Sequence, residues 1–575
     1  MGTPQTPRKR RSPLARYAPF VAVVAIIAVV AVVLSTRDNG KKKAVAVSPA
    51  SSSAVPKFYS EAKADGTLDK YTWQDHCDTA TGKLAIPIVG PPPCVPKFRG
   101  DNGGATSPGV TADTIRIGYY MAKPDPAFDA LTKAAGAYDT PASIDQTTKN
   151  YVQIFANMYE LYGRKIQLVR IDGTGTLSDE VAARADAKKA AADNVFAVIG
   201  GPAQAKSFSE ELAANKVLCI GTCIIAQPER YIRDNSPYLW TTNPSPEQTT
   251  TMTVEFIKKQ LAGKNAEFAG DAALQQQRRK FALLTYDTPD GQFTSSQQLF
   301  EKKMREAGLD VVGHVYYYLD LAKMQSDART IATKLKATGA TSVVFTGDPL
   351  LPQFFTKEAT KQHYFPEWVM SGTVLADTNV FARTFDQEQW KHAFGLQIIP
   401  ARLPKDKQFY YSLHQWWFGT APPAANAFAI VYGNVATLFT GLDLAGPKLT
   451  PQTFRDGMYH APGELQTTKP TLSDIHTWGK HGYWPGEDVN GLDNMGVLYW
   501  DPNARGPDET GTVNNGMYRL VDGGLRYLPG KWPTKPIKLF DPTNTVTIYG
   551  ENNVPPELLP KDEPVPPNAP AANKG

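Results

Sequence analysis

The chain has 575 residues, of which 42% are apolar and 20% charged, enough to bury a large core and too apolar for a disordered or coiled-coil chain. Its net charge of +5 is misleading. Residues 1–43 hold nine Lys/Arg against the single acid Asp38, so the remainder is about −3 and carries no basic excess for nucleic acid.

The N-terminus opens on five basic residues and then an unbroken apolar run, Phe20 to Leu34 (FVAVVAIIAVVAVVL). With its small flanking residues the run is just long enough to cross a bilayer. The favoured reading is an uncleaved single-pass anchor over 1–36. A cleaved secretory signal stays open, because Ala44-Val45-Ala46 follows. Both place the body outside the cytoplasm. Residues 37–70, rich in Lys, Ser, Ala and Pro, are expected to form a spacer without a core. Residues 71–110 are expected to be a loop-rich cap carrying a Cys77–Cys94 bridge, as suits an exported chain. Residues 551–575, dense in proline, read as an extended or disordered tail.

Between these ends short apolar strands alternate with amphipathic helices. Strands are expected at 114–120, 165–172, 195–201 and 217–221. Helices are expected at 151–162, from the Ser178 cap to Asp193, and at 204–214. The rhythm restarts with a helix over 247–261, strands at 280–287, 341–348 and 367–372, and helices at 293–307, 327–337 and 351–361. A further apolar helix is expected at 424–442, and short strands and turns after 475. The pattern implies α/β architecture with two doubly wound parallel-sheet lobes. The expected boundaries are 111–245 with 373–470 for lobe 1, and 246–372 with 471–550 for lobe 2.

Ligands of open α/β sheets bind beyond the carboxyl ends of the strands. That rule selects Pro202, Ala203 and Gln204 after one strand, and Gly221 and Thr222 after the next. In the second lobe it selects Tyr286, Asp287, Asp348, Gly372 and Thr373. Backbone N–H groups near Ala203–Gln204 and Thr222 are expected to hold an anionic or polar group. Tyr120 or Tyr286 would cover an apolar face, and Asp287 or Asp348 would meet a cation. Cys219 and Cys223 are a feasible bridge across a turn, with buried free thiols as the alternative. Nucleophile-elbow, zincin, phosphate-loop and dinucleotide motifs are missing from the sequence, and no cysteine or histidine spacing suggests a metal. No catalytic residue and no cofactor are expected.

Several segments carry a family likeness. GVTADTIRIG, VFAVIGGPAQAKSFSEELAANKVLCIGT, RKFALLTYDTPDGQFTSSQQLFEKKMREAGLDVVGHVYYY and TSVVFTGDPLLPQFFTKEATKQHYFPEWVMSG occur in the family's order. They resemble the type I periplasmic solute-binding proteins of branched-chain amino-acid transporters. NGLDNMGVLYWDPNARGPDETGTVNNGMYRLVDGGLRY is similar to the C-terminal part of actinobacterial members. The resemblance implies two lobes joined by a three-strand hinge. They would close on a small polar molecule (an amino acid, amide or related organic acid) and present it to an ABC permease. A membrane-tethered receptor with the same fold and no transport role is the alternative. The chain departs from the family pattern in three places. A long insertion follows Tyr119-Tyr120, Ala203-Gln204 replace the serine that grips an amino-acid carboxylate, and Ser371-Gly372-Thr373 lack an acid for the ammonium.

Overall fold

The computed structural model describes residues 55–573, apart from 135, 225–226, 290, 321, 374, 401–402, 464–466 and 551. The expected anchor and the first part of the expected spacer lie outside the described residues. Among the described residues no helix is long and apolar enough to cross a membrane.

The first sheet has five parallel strands in the spatial order Lys165–Asp172, Thr114–Met121, Ala197–Ile199, Leu218–Ile220, Leu239–Trp240. Two of its inner strands, Ala197–Ile199 and Leu218–Ile220, are only three residues long and fully buried. Each ends on a glycine in the left-handed region, Gly200 (φ 73°) and Gly221 (φ 70°), so the chain turns at once into the loop that follows. The helix expected at 151–162 starts ten residues earlier and spans Pro141–Met158. Thr140 caps it by accepting from Ser143 N, and Pro141 occupies the first turn, where a missing N–H costs nothing. Asp179, not Ser178, caps the next helix, Glu180–Ala192.

The second sheet sets five strands in parallel, in the order Ala393–Gln397, Glu367–Ser371, Ser342–Thr346, Phe281–Asp287, Val311–Tyr318. Beyond Ala393–Gln397 it becomes antiparallel through the long hairpin Met495–Pro507 and Val513–Leu520. The expected return to the first lobe at 373 therefore comes too early. Strand Ala393–Gln397 completes the parallel part of the second sheet, and the chain rejoins the first lobe with helices Phe409–Phe418, Phe428–Leu444 and Pro451–His460. Three segments thus pass between the lobes: 241–245, 398–408, and 461–494. The last includes the small hairpin His476–Gly479 with Asp488–Leu492.

The spacer reading fails over its last residues. Phe58 and Ala62 are fully buried, and helix Tyr59–Ala64 packs under the cap, because Phe58 joins the apolar core of the first lobe. The cap holds a Cys77–Cys94 disulfide. Gln74 Nε2 ties it to the lobe by donating to Asp443 Oδ1 (3.1 Å), which also accepts from Glu160 N (2.8 Å). Burial raises the Asp443 carboxyl to about 8. The proline-rich tail is extended but docked. Trp416 Nε1 donates to Glu563 O, Lys561 pairs with Asp78 of the cap, and Ala569 is fully buried.

The second sheet is pinned by an ion pair sealed from water. Arg279 Nε and Nη2 each donate at 2.8 Å to the two oxygens of Glu367, whose Oε2 also accepts from Ser342 Oγ (2.6 Å). The side chains are 1% and 0% exposed. Removing one partner strands the other charge in a low dielectric. Glu367→Ala is expected to lower stability by about 3–5 kcal/mol, read by urea unfolding followed at Trp368. The apolar pair Arg279→Met with Glu367→Leu should recover most of that loss.

A second buried group lies on the third crossing, where Asp488 and Asp493 hydrogen-bond to each other. Gln248 Nε2 donates to Asp488 (2.9 Å). Trp484 Nε1 (2.9 Å) and Thr477 Oγ1 (2.8 Å) donate to Asp493. Burial, and then the neighbouring carboxylate, holds the Asp493 carboxyl far above its usual range. The folded pair keeps a proton that the unfolded chain releases near its ordinary carboxylate value. Stability from this pair is therefore complete in acid and falls as pH rises above that value, by up to about 1.4 kcal/mol per pH unit. Asp493→Asn should flatten the pH dependence of the melting temperature between pH 5 and 8.

Candidate functional site

The strand ends of the two sheets border one cavity of about 1070 Å³. The first lobe contributes Leu177, Ser178, Ala203, Gln204 and Gln227, and the insertion after its first strand adds Asp125 and Phe128. The first crossing and the helix after it, Pro246–Gln260, supply Pro244, Thr249 and Thr250. The second lobe provides Tyr286, Phe293, Phe300, Thr346, Asp348, Leu350, Gly372, Thr373, Phe381 and Ile398. Most of this wall is aromatic, aliphatic or proline, as in sites for organic molecules. Gln292 Nε2 donates to Gln227 Oε1 and so links the lobes across the floor.

Of the strand-end residues selected by sequence, Ala203, Gln204, Tyr286, Asp348, Gly372 and Thr373 line the cavity. Pro202, Gly221, Thr222, Tyr120 and Asp287 are not part of its wall. Each of the last three is engaged elsewhere. Tyr120 lies edge-on to Phe208 and donates its hydroxyl to Asp186 (3.1 Å), which also accepts from Thr174 N and Oγ1. Its expected role as a cover for an apolar ligand face is therefore not met. Thr222 is held by Asn434 of helix Phe428–Leu444. Its N–H donates to Oδ1 (2.8 Å), and its hydroxyl accepts from Nδ2 (2.9 Å). Asp287 accepts from Thr288 N, Phe293 N and Thr294 Oγ1, which folds the turn into helix Thr294–Glu306.

Asp348 lines the cavity yet is also spoken for. It accepts from Tyr317 Oη (2.5 Å), Leu350 N (2.7 Å) and Leu351 N (3.0 Å), and burial pushes its carboxyl up. Two neutral polar groups are differently placed. Thr373 Oγ1 is buried against the cavity with no hydrogen-bond partner among the described residues. Gln204 lines the cavity from the other lobe.

Cys219 and Cys223 are bridged, with Cα atoms 5.6 Å apart across the turn at Gly221–Cys223. The bridge stiffens the loop behind the cavity rather than lining it. Sequence reasoning missed Phe128 and Tyr318, both large, exposed (37% and 51%) and lining the cavity from different lobes. Phe128 lies in the insertion helix Pro126–Ala134, which strand-end reasoning passes over; Tyr318 closes its strand, and its position there was a usable signal. Among the described residues no group of three or more His, Cys, Asp or Glu could hold a metal ion.

The sequence profile of the family described as periplasmic binding protein matches residues 130–479. Solved structures are similar to the chain at low identity, each with a TM-score below 0.5. An ABC transporter substrate-binding protein from Aeropyrum pernix is 14% identical over 73% of this chain and 98% of its own, with a TM-score of 0.48. A solute-binding protein from R. palustris in complex with 4-hydroxybenzoate is 13% identical over 74% and 99%, TM-score 0.45. The branched-chain amino acid binder LivJ from Streptococcus pneumoniae in complex with isoleucine is 14% identical over 71% and 99%, TM-score 0.44. None of the curated protein sequences matches the chain. The family match covers more than half of the chain, so the chain belongs to the periplasmic binding protein family, as a solute-binding protein and not an enzyme.

Proposed function

We propose that the protein captures a small organic molecule between its lobes outside the cytoplasm, closes on it, and presents the closed form to an ABC permease. The observation that carries this reading is the cavity itself, walled by both sets of strand ends and spanned by only three crossings. A ligand that touches both lobes only when they are together shifts the population toward closure. Phe128 and Tyr318, exposed on different lobes, are the apolar surface that closure would cover. Gln204 and Thr373 supply one neutral polar contact from each lobe.

In this reading the run Phe20 to Leu34 tethers the body to the cell membrane, with the basic residues before it on the cytoplasmic side. The sequence similarity to actinobacterial members supports a single-membrane setting, in which a tether keeps the binding protein near its permease.

Closure can be read by fluorescence transfer between dyes at Lys188→Cys and Lys302→Cys, both exposed and on different lobes. A panel of amino acids, amides, aromatic acids and sugars is added to residues 55–575. A ligand at 100 times its Kd should stabilise by about 2.7 kcal/mol and raise transfer efficiency. Thr373→Val and Gln204→Ala should each weaken that ligand by about 1 kcal/mol, roughly fivefold. Binding with no change in transfer would sink the closure mechanism, and a folded protein that binds nothing would sink solute capture.

A further inference from the structure

The cavity takes its ligand's charge class from what the chain has already done with its own polar groups. An amino acid or organic acid in such a cleft needs donors for its carboxylate, and an amino acid also needs an acceptor for its ammonium. The donors available in principle are the first N–H groups of helix Lys206–Ala214 and the loop at Thr222. Both are occupied. Lys206 N donates to Glu180 Oε1 (3.2 Å) and Ser207 N to Glu180 Oε2 (2.8 Å), so the chain's own carboxylate sits on that helix end. Gln204 N, just before it, donates to Leu177 O. Thr222 donates its N–H to Asn434 Oδ1, and its hydroxyl accepts from Asn434 Nδ2.

The acceptors after the strands are mostly committed as well. Asp348 holds three donors and Asp287 another three, all from their own loops or, for Asp348, the adjoining strand. Among the described lining residues the only cation is Lys323. Its side chain is 71% exposed at the rim and paired with Asp320 at 3.0 Å. The other acidic side chains along the wall, Asp125, Asp320, Asp327 and Asp348, disfavour the entry of an anion. What remains for a ligand is a large apolar wall and neutral side chains, Thr176, Ser178, Gln204, Thr249, Thr250 and Thr373, each able to donate and accept.

We propose that the cleft binds an uncharged, mainly apolar molecule bearing a neutral hydrogen-bonding group such as a carboxamide, and discriminates against the matching carboxylate and amino acid. This rests on the solute-capture reading and narrows it. Glu180 is a positioning residue in this account: it holds the helix end and denies it to a ligand anion.

The test compares isosteric pairs by titration calorimetry on residues 55–575: 3-phenylpropionamide against 3-phenylpropionate, and octanamide against octanoate. The amide of each pair should bind at least tenfold more tightly. In Glu180→Ala the vacated helix end should raise carboxylate affinity at least tenfold while the amide changes little. Glu180→Gln, which keeps an acceptor there and removes the charge, serves if the alanine variant does not fold. A carboxylate or amino acid that binds the unaltered protein as tightly as its amide overturns the inference and leaves solute capture standing. An unchanged preference in the folded Glu180 variant overturns Glu180's part in it. If no member of these pairs or of the wider panel binds the folded protein, both readings fall.

Discussion

A polar group at the head of a buried parallel strand must find a partner, because leaving it bare in a low dielectric costs more than most single contacts contribute. In this protein the partners come from the chain. Glu180 covers the start of helix Lys206–Ala214, Asn434 covers Thr222, and Tyr317 with two backbone N–H groups covers Asp348. The polar groups of these loops are thereby largely engaged within the chain. The cavity is apolar for the same reason. Loops that satisfied themselves less fully would hold more water and offer more anchors.

The same economy runs through the body of each lobe. The Arg279–Glu367 pair is enclosed by Ser342 Oγ and Phe268 N, so each charge is hydrogen-bonded on every accessible side. Asp488 and Asp493 solve the problem differently. Two carboxylates brought together in a buried crossing retain a proton, and Gln248, Thr477 and Trp484 complete the set. That crossing thereby contacts the helix that opens the second lobe. The cap and tail extend this bracing on the first lobe. Gln74 reaches Asp443, and the docked tail lies along helix Phe409–Phe418, so lobe 1 is thickened on the side away from the cavity lining.

Much of the fold was legible. Strands at 165–172, 281–287 and 367–371, and the helices after the first two, follow from apolar runs and helical spacing, which are local properties. Helix Pro141–Met158 was misplaced at its start because its first two turns are polar and their signal is the cap at Thr140 with Pro141, not a periodic apolar stripe. The return of the chain to the first lobe was misplaced because strand Ala393–Gln397 belongs to the second sheet only through its pairing with Glu367–Ser371. Pairing between distant segments leaves no local mark.

The sequence by itself determined the alternation of strand and helix, the likeness to solute-binding proteins and the loops at the strand ends, since each depends on residues close together in the chain. Tertiary structure decided which of those loops are open to a ligand. Asp287 and Asp348 read alike in sequence, as acids after apolar strands, yet only Asp348 reaches the cavity, and each already accepts three hydrogen bonds from its own surroundings. Thr222 and Thr373 likewise read as equivalent hydroxyls, and Asn434, 212 residues away, removes the first from play. Whether a polar group is free depends on the partner that folding brings to it, and that partner is fixed by packing in three dimensions, not by neighbours along the chain.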